Sequence, residues 1–220
     1  NGNAVANLQA ITIDGVNYLK AEDQVIKGIT PEGVETTYPV TVSFVGGFGE
    51  TVDLSANVSV AEHLIKALEG TNAQGVAFAQ SIINYVVAAN AYAGKTVASL
   101  ASLATEVAAP AYTDAKWQAL TGVTTKINLG DSARWIFTVE AGKTYVFNYA
   151  GMTRAFTADE NGEIIISMRA VNLTGDITIT CGDESATINL AGYYNALAGD
   201  AAAQNVVNAL YNYSVAAQAY

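Results

Sequence analysis

Alternating apolar and polar residues predict β-structure in roughly the first quarter of the chain. Residues 8–13 and 16–18 alternate on either side of Asp14-Gly15, a dipeptide typical of a two-residue hairpin turn. The clearest strand is Tyr38–Val45, and the glycine-rich stretch after it predicts a turn into a second strand that ends near Val60. We therefore expect hairpins ahead of the first helix.

The spacing of apolar residues then changes to the helical period, in a stretch that occurs twice. Ile82–Tyr92 (IINYVVAANAY) and Leu210–Tyr220 (LYNYSVAAQAY) agree at seven of eleven positions. An Ala-Leu-x-Gly sequence precedes each copy, at 67–70 and at 196–199, and marks the end of a shorter helix. Such a repeat predicts two versions of one unit, in which strands are followed by two helices. The recurring tyrosines and alanines are predicted to be packing or interface residues of the repeat: Tyr85, Ala89, Tyr92, Tyr213, Ala217 and Tyr220.

Small apolar residues follow the first copy, and their spacing predicts one modest helix through Val97, Leu100, Leu103 and Val107. A series of short β-like runs separated by turn residues comes next, which is typical of a β-sandwich. The predicted fold class is α+β, with two β-rich, sandwich-like and mainly antiparallel units that are each closed by a pair of short helices. The predicted domains are a first β-rich unit with its helical pair at 1–93, a small-residue connector with a short helix at 94–125, and a second sandwich-like unit with its terminal helical pair at 126–220.

Composition and charge exclude several classes of partner. Of the 220 residues, 51% are hydrophobic and only 14% are charged, and 20 acidic against 10 basic residues give a net charge of −10. Nucleic-acid binding needs clustered Lys and Arg, so no nucleic-acid partner is expected. No apolar run approaches the length of about 18 residues that spans a bilayer, so no membrane insertion is expected. The single Cys181 cannot form an internal disulfide, and the start at Asn1-Gly2-Asn3 is expected of a processed or excised end.

Residues with catalytic or metal-binding chemistry are few and isolated. His63 is the only histidine, and neither it nor Cys181 has a partner at metal-ligand or nucleophile–base spacing. We therefore expect no catalytic residue, no cofactor and no enzyme activity. Asp159, Asn161 and Glu163 alternate oxygen-bearing side chains as calcium loops do, but the Asn-Gly dipeptide among them favours a hairpin turn between two strands. Calcium binding at these three residues is the open alternative.

Aromatic residues form the remaining candidate site. The chain has 12 Tyr and 2 Trp, and aromatic faces stack on sugars. Trp135 lies inside a β-run and is predicted to be a core residue. Trp117, Tyr193 and Tyr194 are expected to be exposed and are the candidate glycan contacts.

An ordered series of short motifs runs through the second half of the chain. They are Ala133-Arg134-Trp135-Ile136-Phe137, Thr144-Tyr145-Val146-Phe147, Gly162-Glu163-Ile164-Ile165-Ile166, Asn172-Leu173, Asp176-Ile177-Thr178-Ile179-Thr180, Tyr193-Tyr194-Asn195-Ala196-Leu197 and Ala209-Leu210-Tyr211-Asn212-Tyr213 with Ala216-Ala217. The series resembles the repeated modules of large secreted or surface-attached proteins of anaerobic Firmicutes, especially Clostridia, whose strands end in an Ala-Leu-x-x-Tyr-x-x-Ala-Ala-x-x-Tyr-like helix. The resemblance covers 126–220 well and 36–93 more loosely. It implies an extracellular or cell-surface location and a non-enzymatic module.

These features together predict an acidic, extracellular structural protein of a bacterial surface that self-associates into a layer, sheath or filament. The expected partners are copies of the same chain, which would pair through spare strand edges near the N-terminus. The alternative is a carbohydrate-binding or adhesion module, whose partner would be cell-wall or other polysaccharide.

Overall fold

The computed structural model describes residues 8–13, 16–21, 30–45, 48–129 and 133–220. Within these residues the strands are β1 Leu8–Ile13, β2 Val16–Ala21, β3 Tyr38–Val45, β4 Thr51–Val58, β5 Thr124–Asn128, β6 Arg134–Thr138, β7 Thr144–Tyr149, β8 Met152–Thr157, β9 Glu163–Ser167, β10 Ile177–Cys181 and β11 Glu184–Ile188. The α-helices are α1 Val60–Leu68, α2 Ala73–Tyr92, α3 Ala98–Ala101, α4 Leu190–Ala196 and α5 Ala201–Ala219. All the strand pairs among them are antiparallel, and the predicted α+β class is confirmed.

The first four strands form two separate hairpins. β1 and β2 pair with Ile13 opposite Val16, and the predicted Asp14-Gly15 turn between them lies outside the described residues. β3 and β4 pair along their whole lengths, which confirms the predicted strand and the hairpin that follows it. Each hairpin is a two-stranded sheet. Within the described residues, β3 and β4 therefore form a sheet of their own, separate from the sheet of β1 and β2.

The remaining strands form two sheets that pack face to face. The strand orders are β5-β6-β9 and β11-β10-β7-β8. Alternate residues of both sheets enter one shared core, in which the Phe137 and Phe147 rings of β6 and β7 meet edge to face with centroids 4.9 Å apart. Trp135 is buried in this core, as predicted. The predicted hairpin at 161–162 is wrong, because β8 pairs with β7 whereas β9 pairs with β6, so the turn carries the chain from one sheet to the other.

Each helical pair consists of one short and one long helix. Ser59 Oγ accepts the Glu62 N–H at the start of α1 at 3.1 Å, and Asp200 Oδ1 accepts the Ala203 N–H at the start of α5 at 3.0 Å. The long helices α2 and α5 have 20 and 19 residues, so the prediction of short helices is right only for α1 and α4. Fully buried side chains of α4 and α5 complete the core that the two sheets share, namely Leu190, Val206, Val207 and Leu210.

The connector forms less helix than its apolar spacing predicts. α3 covers four residues and ends well before Val107. Farther along, the Thr105 N–H donates to Asn84 Oδ1 at 2.9 Å, and the Leu103 and Val107 carbonyls accept hydrogen bonds from side chains of α2 and α5. These side chains replace the backbone partners that a longer helix would use, so the chain leaves the helical path after α3.

Candidate functional site

One face of the β3–β4 hairpin is apolar and exposed. Opposite residues of an antiparallel pair share a face, and the pairing places Tyr38, Val40, Val52, Leu54, Ala56 and Val58 together. The exposed fractions of the larger aliphatic side chains are 42% for Val40, 52% for Val52, 58% for Leu54 and 38% for Val58. We call these four side chains the β3–β4 apolar face. The opposite face is polar, and there Thr41 and Ser55 share a hydroxyl hydrogen bond of 2.9 Å.

The second unit contains the counterpart of this hairpin. β10 and β11 also precede a short capped helix and a repeat helix, and their pairing sets Ile177 opposite Ile188 and Ile179 opposite Ala186. Each of these four side chains is at most 2% exposed. The reason is that they share a core with the β5-β6-β9 sheet, while β7 pairs with the outer edge of β10. Among the described residues β3 has no such neighbour, so the first unit exposes the surface that the second unit buries.

The repeat helices α2 and α5 pack against each other. They run antiparallel, with the Phe78 ring stacked on Tyr220 at 5.1 Å and the Tyr85 ring stacked on Tyr213 at 5.9 Å. Tyr85 and Tyr213 are equivalent positions of the repeat, and their ring planes are only 7° apart. Burial raises the pKa of the Tyr213 hydroxyl. The two copies are therefore related by a local two-fold axis near this stack, and each copy is the partner of the other.

The six residues predicted for packing or interface roles divide by their distance from this axis. Tyr85 and Ala89 are buried, Tyr213 and Ala217 are half-buried, and Tyr92 and Tyr220 are exposed. The exposed pair lies at the C-terminal ends of the two helices, and Tyr220 still stacks on Phe78 there. Tyr85, Ala89, Tyr213 and Ala217 therefore pack against other residues of the same chain.

Amide side chains of both repeat helices hold one segment of the connector, Leu103–Val107, which we call the strap. Gln80 Nε2 donates to the Leu103 carbonyl at 2.9 Å, and Asn208 Nδ2 donates to the Val107 carbonyl at 2.6 Å. Asn84 Oδ1 accepts the Thr105 N–H at 2.9 Å. A cavity of about 390 Å³ lies between the strap and the two helices.

The amides were not among the residues predicted from sequence. The sequence does contain a signal for these amides. Gln80 and Asn208 occupy equivalent positions of the repeat, and so do Asn84 and Asn212. An amide at both equivalent positions on a helix that is otherwise rich in Ala and Val indicates a side chain with a hydrogen-bonding role. What these amides bind depends on the path of the connector, which no local pattern specifies.

The three candidate glycan contacts do not form a platform. Trp117 is 39% exposed, but its ring is tilted by 48° against Tyr193. The expectation that Tyr193 is exposed is wrong, because its ring is also packed edge-on against Trp135 and is only 8% exposed. Tyr194 is half-buried and packs on Tyr112. Of the three, Trp117 is the most exposed.

The acidic turn at 159–163 is organised by its own backbone. Asp159 Oδ1 accepts the Asn161 N–H at 2.9 Å, and the Gly162 carbonyl accepts the Val139 N–H at 2.7 Å. A Cβ at Gly162 would lie 2.4 Å from the Val139 carbonyl oxygen, and the φ of +66° also favours glycine. Glu163 begins β9 with its side chain exposed. Within the described residues no three His, Cys, Asp or Glu side chains are grouped so that they could hold a metal ion.

Among the described residues, His63 and Cys181 belong to no group that could hold a metal ion. His63 is exposed on α1, and Cys181 is half-buried at the end of β10, as expected for a small strand residue. A search of the described helices finds none with the length and apolar character needed to cross a membrane. Protein-family models, curated protein sequences and solved structures were each compared with the chain, and none matches it. Function is therefore argued from the surfaces described above.

Proposed function

We propose that this protein is a non-enzymatic structural subunit of a bacterial surface that associates with copies of itself through the β3–β4 apolar face. The observation that carries the proposal is the contrast between two equivalent hairpins. Ile177, Ile179, Ala186 and Ile188 of β10–β11 are buried under a second sheet, whereas their counterparts on β3–β4 are exposed. A two-stranded hairpin is marginally stable alone in water, so its apolar face needs a cover.

A second copy of the chain fits this face in size and chemistry. Burying the exposed half of each aliphatic side chain contributes about 1 kcal/mol. Four side chains from each of two copies therefore contribute about 8 kcal/mol, which is comparable to the cost of association. The expected contact between two isolated chains is weak. It becomes effective in an array, where each chain is held by more than one contact.

Charge gives the association a characteristic dependence on salt. The net charge of −10 makes copies repel each other, whereas the β3–β4 apolar face itself carries no charged residue. Added salt screens this repulsion and leaves apolar burial intact. Association is therefore expected to strengthen with ionic strength, which is the opposite of what an interface built on ion pairs shows.

The test is sedimentation velocity over a range of protein concentrations, with negative-stain electron microscopy of the concentrated samples. The wild-type chain is expected to form larger species as concentration and salt rise. Leu54→Lys places a charge on the apolar face and should abolish them. Asn57→Lys makes the same change in charge three residues along β4 on the polar face, where the residue is also exposed, and should leave association unchanged.

A wild-type chain that stays monomeric at every concentration and salt, or a Leu54→Lys variant that associates as well as Asn57→Lys, contradicts the proposal. In the first case, a carbohydrate-binding or adhesion module is the function to test next. The observation that favours it is the partly exposed Trp117 ring on buried Tyr193. Binding on a polysaccharide array that is lost in Trp117→Ala would support it.

A further inference from the structure

Hydrogen bonds hold the strap to the rest of the chain, together with the packing of Leu103 and Ala104 against the core that contains Leu64 and Ile83. The side chains of Thr105, Glu106 and Val107 are exposed, and so are those that follow as far as Pro110. Three backbone groups are nevertheless bound by side-chain amides: the Leu103 carbonyl, the Thr105 N–H and the Val107 carbonyl. Asn84 Nδ2 also donates to the Thr105 hydroxyl at 3.2 Å, so the helices bind three main-chain groups of the strap and one of its side chains.

The three groups lie at every second residue of a segment that belongs to no helix or strand after Leu103. Leu103 itself ends the turn after α3, where its N–H and that of Ala104 donate to the Leu100 carbonyl. Where a chain is extended, groups at every second residue point to the same side. The equivalent residues Gln80 and Asn208 donate to the two outer carbonyls, and Asn84 accepts the central N–H. The helices thus present a donor, an acceptor and a donor to a carbonyl, an N–H and a carbonyl of the strap. A surface that binds the main chain of a peptide needs such complementary groups.

The α2–α5 surface does not close around the strap as a packed core would. The cavity of about 390 Å³ beside the strap is larger than the space between packed side chains. Its lining combines small apolar residues, Ala88, Ala91 and Ala209, with the amides Asn205 and Asn212. Asn212 Nδ2 donates to Asn208 Oδ1 at 3.0 Å, which helps to fix the orientation of the Asn208 amide. The surface is therefore an open groove with ordered hydrogen-bonding groups.

We propose that the face formed by α2 and α5 is a groove that binds main chain, and that its partner is the strap of a second copy of this chain. The second strap offers the same three backbone groups to the same amides, so an exchange between copies conserves these hydrogen bonds. The strap of the same chain competes because its tether gives it a high effective concentration. Exchange is expected where chains are crowded, and it does not depend on the β3–β4 apolar face.

The test uses the full chain and a fluorescent peptide with the sequence of residues 101–109. Thr105→Pro in the protein removes the N–H that Asn84 accepts, and so weakens the competing strap. Fluorescence anisotropy should show the peptide binding to this variant on the order of tenfold more tightly than to the wild type, which is the effect of one lost hydrogen bond. Thr105→Ser keeps both the N–H and the hydroxyl to which Asn84 Nδ2 donates at 3.2 Å, and should bind the peptide as weakly as the wild type does.

Two further measurements identify the groups that bind. The same peptide carrying Thr105→Pro lacks the central N–H and should bind about tenfold more weakly than the original peptide. Asn208→Ala, added to the Thr105→Pro protein, should weaken binding of the original peptide by about tenfold. Absence of peptide binding to the Thr105→Pro protein, equal binding of the two peptides, or binding unaffected by Asn208→Ala would each overturn the proposal.

The wild-type protein provides a measurement that does not depend on the folding of Thr105→Pro. In nuclear magnetic resonance spectra of isotope-labelled protein, excess peptide should shift the side-chain amide signals of Gln80 and Asn208 and the Thr105 N–H signal. Signals that do not move at the highest peptide concentration would overturn the proposal. When every protein in these experiments also carries Leu54→Lys, association through the β3–β4 apolar face is prevented. The two proposals can then fail independently.

Discussion

The Asn189 side chain joins three parts of the second unit and is 1% exposed. Its Oδ1 accepts the Gly192 N–H at 2.9 Å and the Lys116 N–H at 3.0 Å. Its Nδ2 donates to the Asp114 carbonyl at 2.9 Å and to Asp176 Oδ1 at 3.0 Å. The first turn of α4, the chain at 114–116 and the residue before β10 therefore depend on one amide.

Asn189→Ala is expected to lower the free energy of unfolding by about 3 kcal/mol. Loss of the helix cap accounts for about 1 kcal/mol. The Lys116 N–H and the Asp114 carbonyl are partly shielded from water, and each lost hydrogen bond accounts for about another 1 kcal/mol. The Asp176 carboxylate contributes little, because it is partly exposed and keeps an ion pair with Lys116. In a chain of this size the change lowers Tm by roughly 6–12 °C.

Two other substitutions separate the parts of this estimate. Asn189→Ser keeps a capping oxygen but does not reach Lys116 or Asp114, so about 2 kcal/mol should still be lost. Asn189→Asp keeps an acceptor for both N–H groups and places a second carboxylate beside Asp176. Its destabilisation should be largest at neutral pH and should decrease in acid, where one shared proton removes the repulsion.

Urea unfolding followed by circular dichroism, with the m-value checked for constancy, measures these differences. If Asn189→Ser were as stable as the wild type, the residue would be a helix cap and nothing more. If Asn189→Ala cost less than about 1 kcal/mol, the bonds to 114–116 would contribute nothing to stability.

Gly192→Ala should destabilise by about 3 kcal/mol or more, because the added Cβ would lie 1.9 Å from the Lys116 carbonyl oxygen and backbone atoms cannot rotate away. Gly75→Ala in α2 is the matched control, since the added Cβ would have no neighbour closer than 3.5 Å. Replacing a helical glycine by alanine should raise the free energy of unfolding by about 1 kcal/mol. Thermal unfolding measures both variants. Burial raises the pKa of the Tyr112 hydroxyl above its value of about 10 in the unfolded chain. The stability that this residue contributes is therefore fully present below about pH 10 and is lost as pH rises toward the folded pKa. Urea unfolding should therefore show a free energy of unfolding that falls above about pH 10, and falls less steeply in Tyr112→Phe. An equal dependence on pH in both proteins would refute this.

Local patterns were enough for the individual elements of the second unit. Its strands alternate between apolar and polar residues and are separated by turn residues such as Gly142 and Gly182, which adopt positive φ. Ser59 and Asp200 supply oxygens that accept hydrogen bonds from N–H groups in the first turn of α1 and α5. Period and capping depend on neighbours in sequence, so they can be recognised without the fold. The α+β class follows from these elements.

Pairing between elements was not determined in this way. An Asn-Gly turn between two strands suits a hairpin, yet β8 and β9 belong to different sheets, because each finds its partner elsewhere. Tyr193 was expected at the surface, and its burial depends on Trp117 and Trp135, which are distant in sequence. The connector helix stops early because amides of α2 and α5 bind its backbone. Each of these outcomes was decided by a residue that is remote along the chain.

The sequence by itself determined that one helical stretch occurs twice, since two segments with the same stripe of residues can be recognised without the structure. Only the tertiary structure decided what the copies do. It pairs Tyr85 with Tyr213 inside the chain, buries the β10–β11 hairpin and leaves Leu54 and its neighbours on β3–β4 exposed. The physical reason is that burial depends on which surface lies opposite a residue in space, and identical local patterns can meet different surfaces.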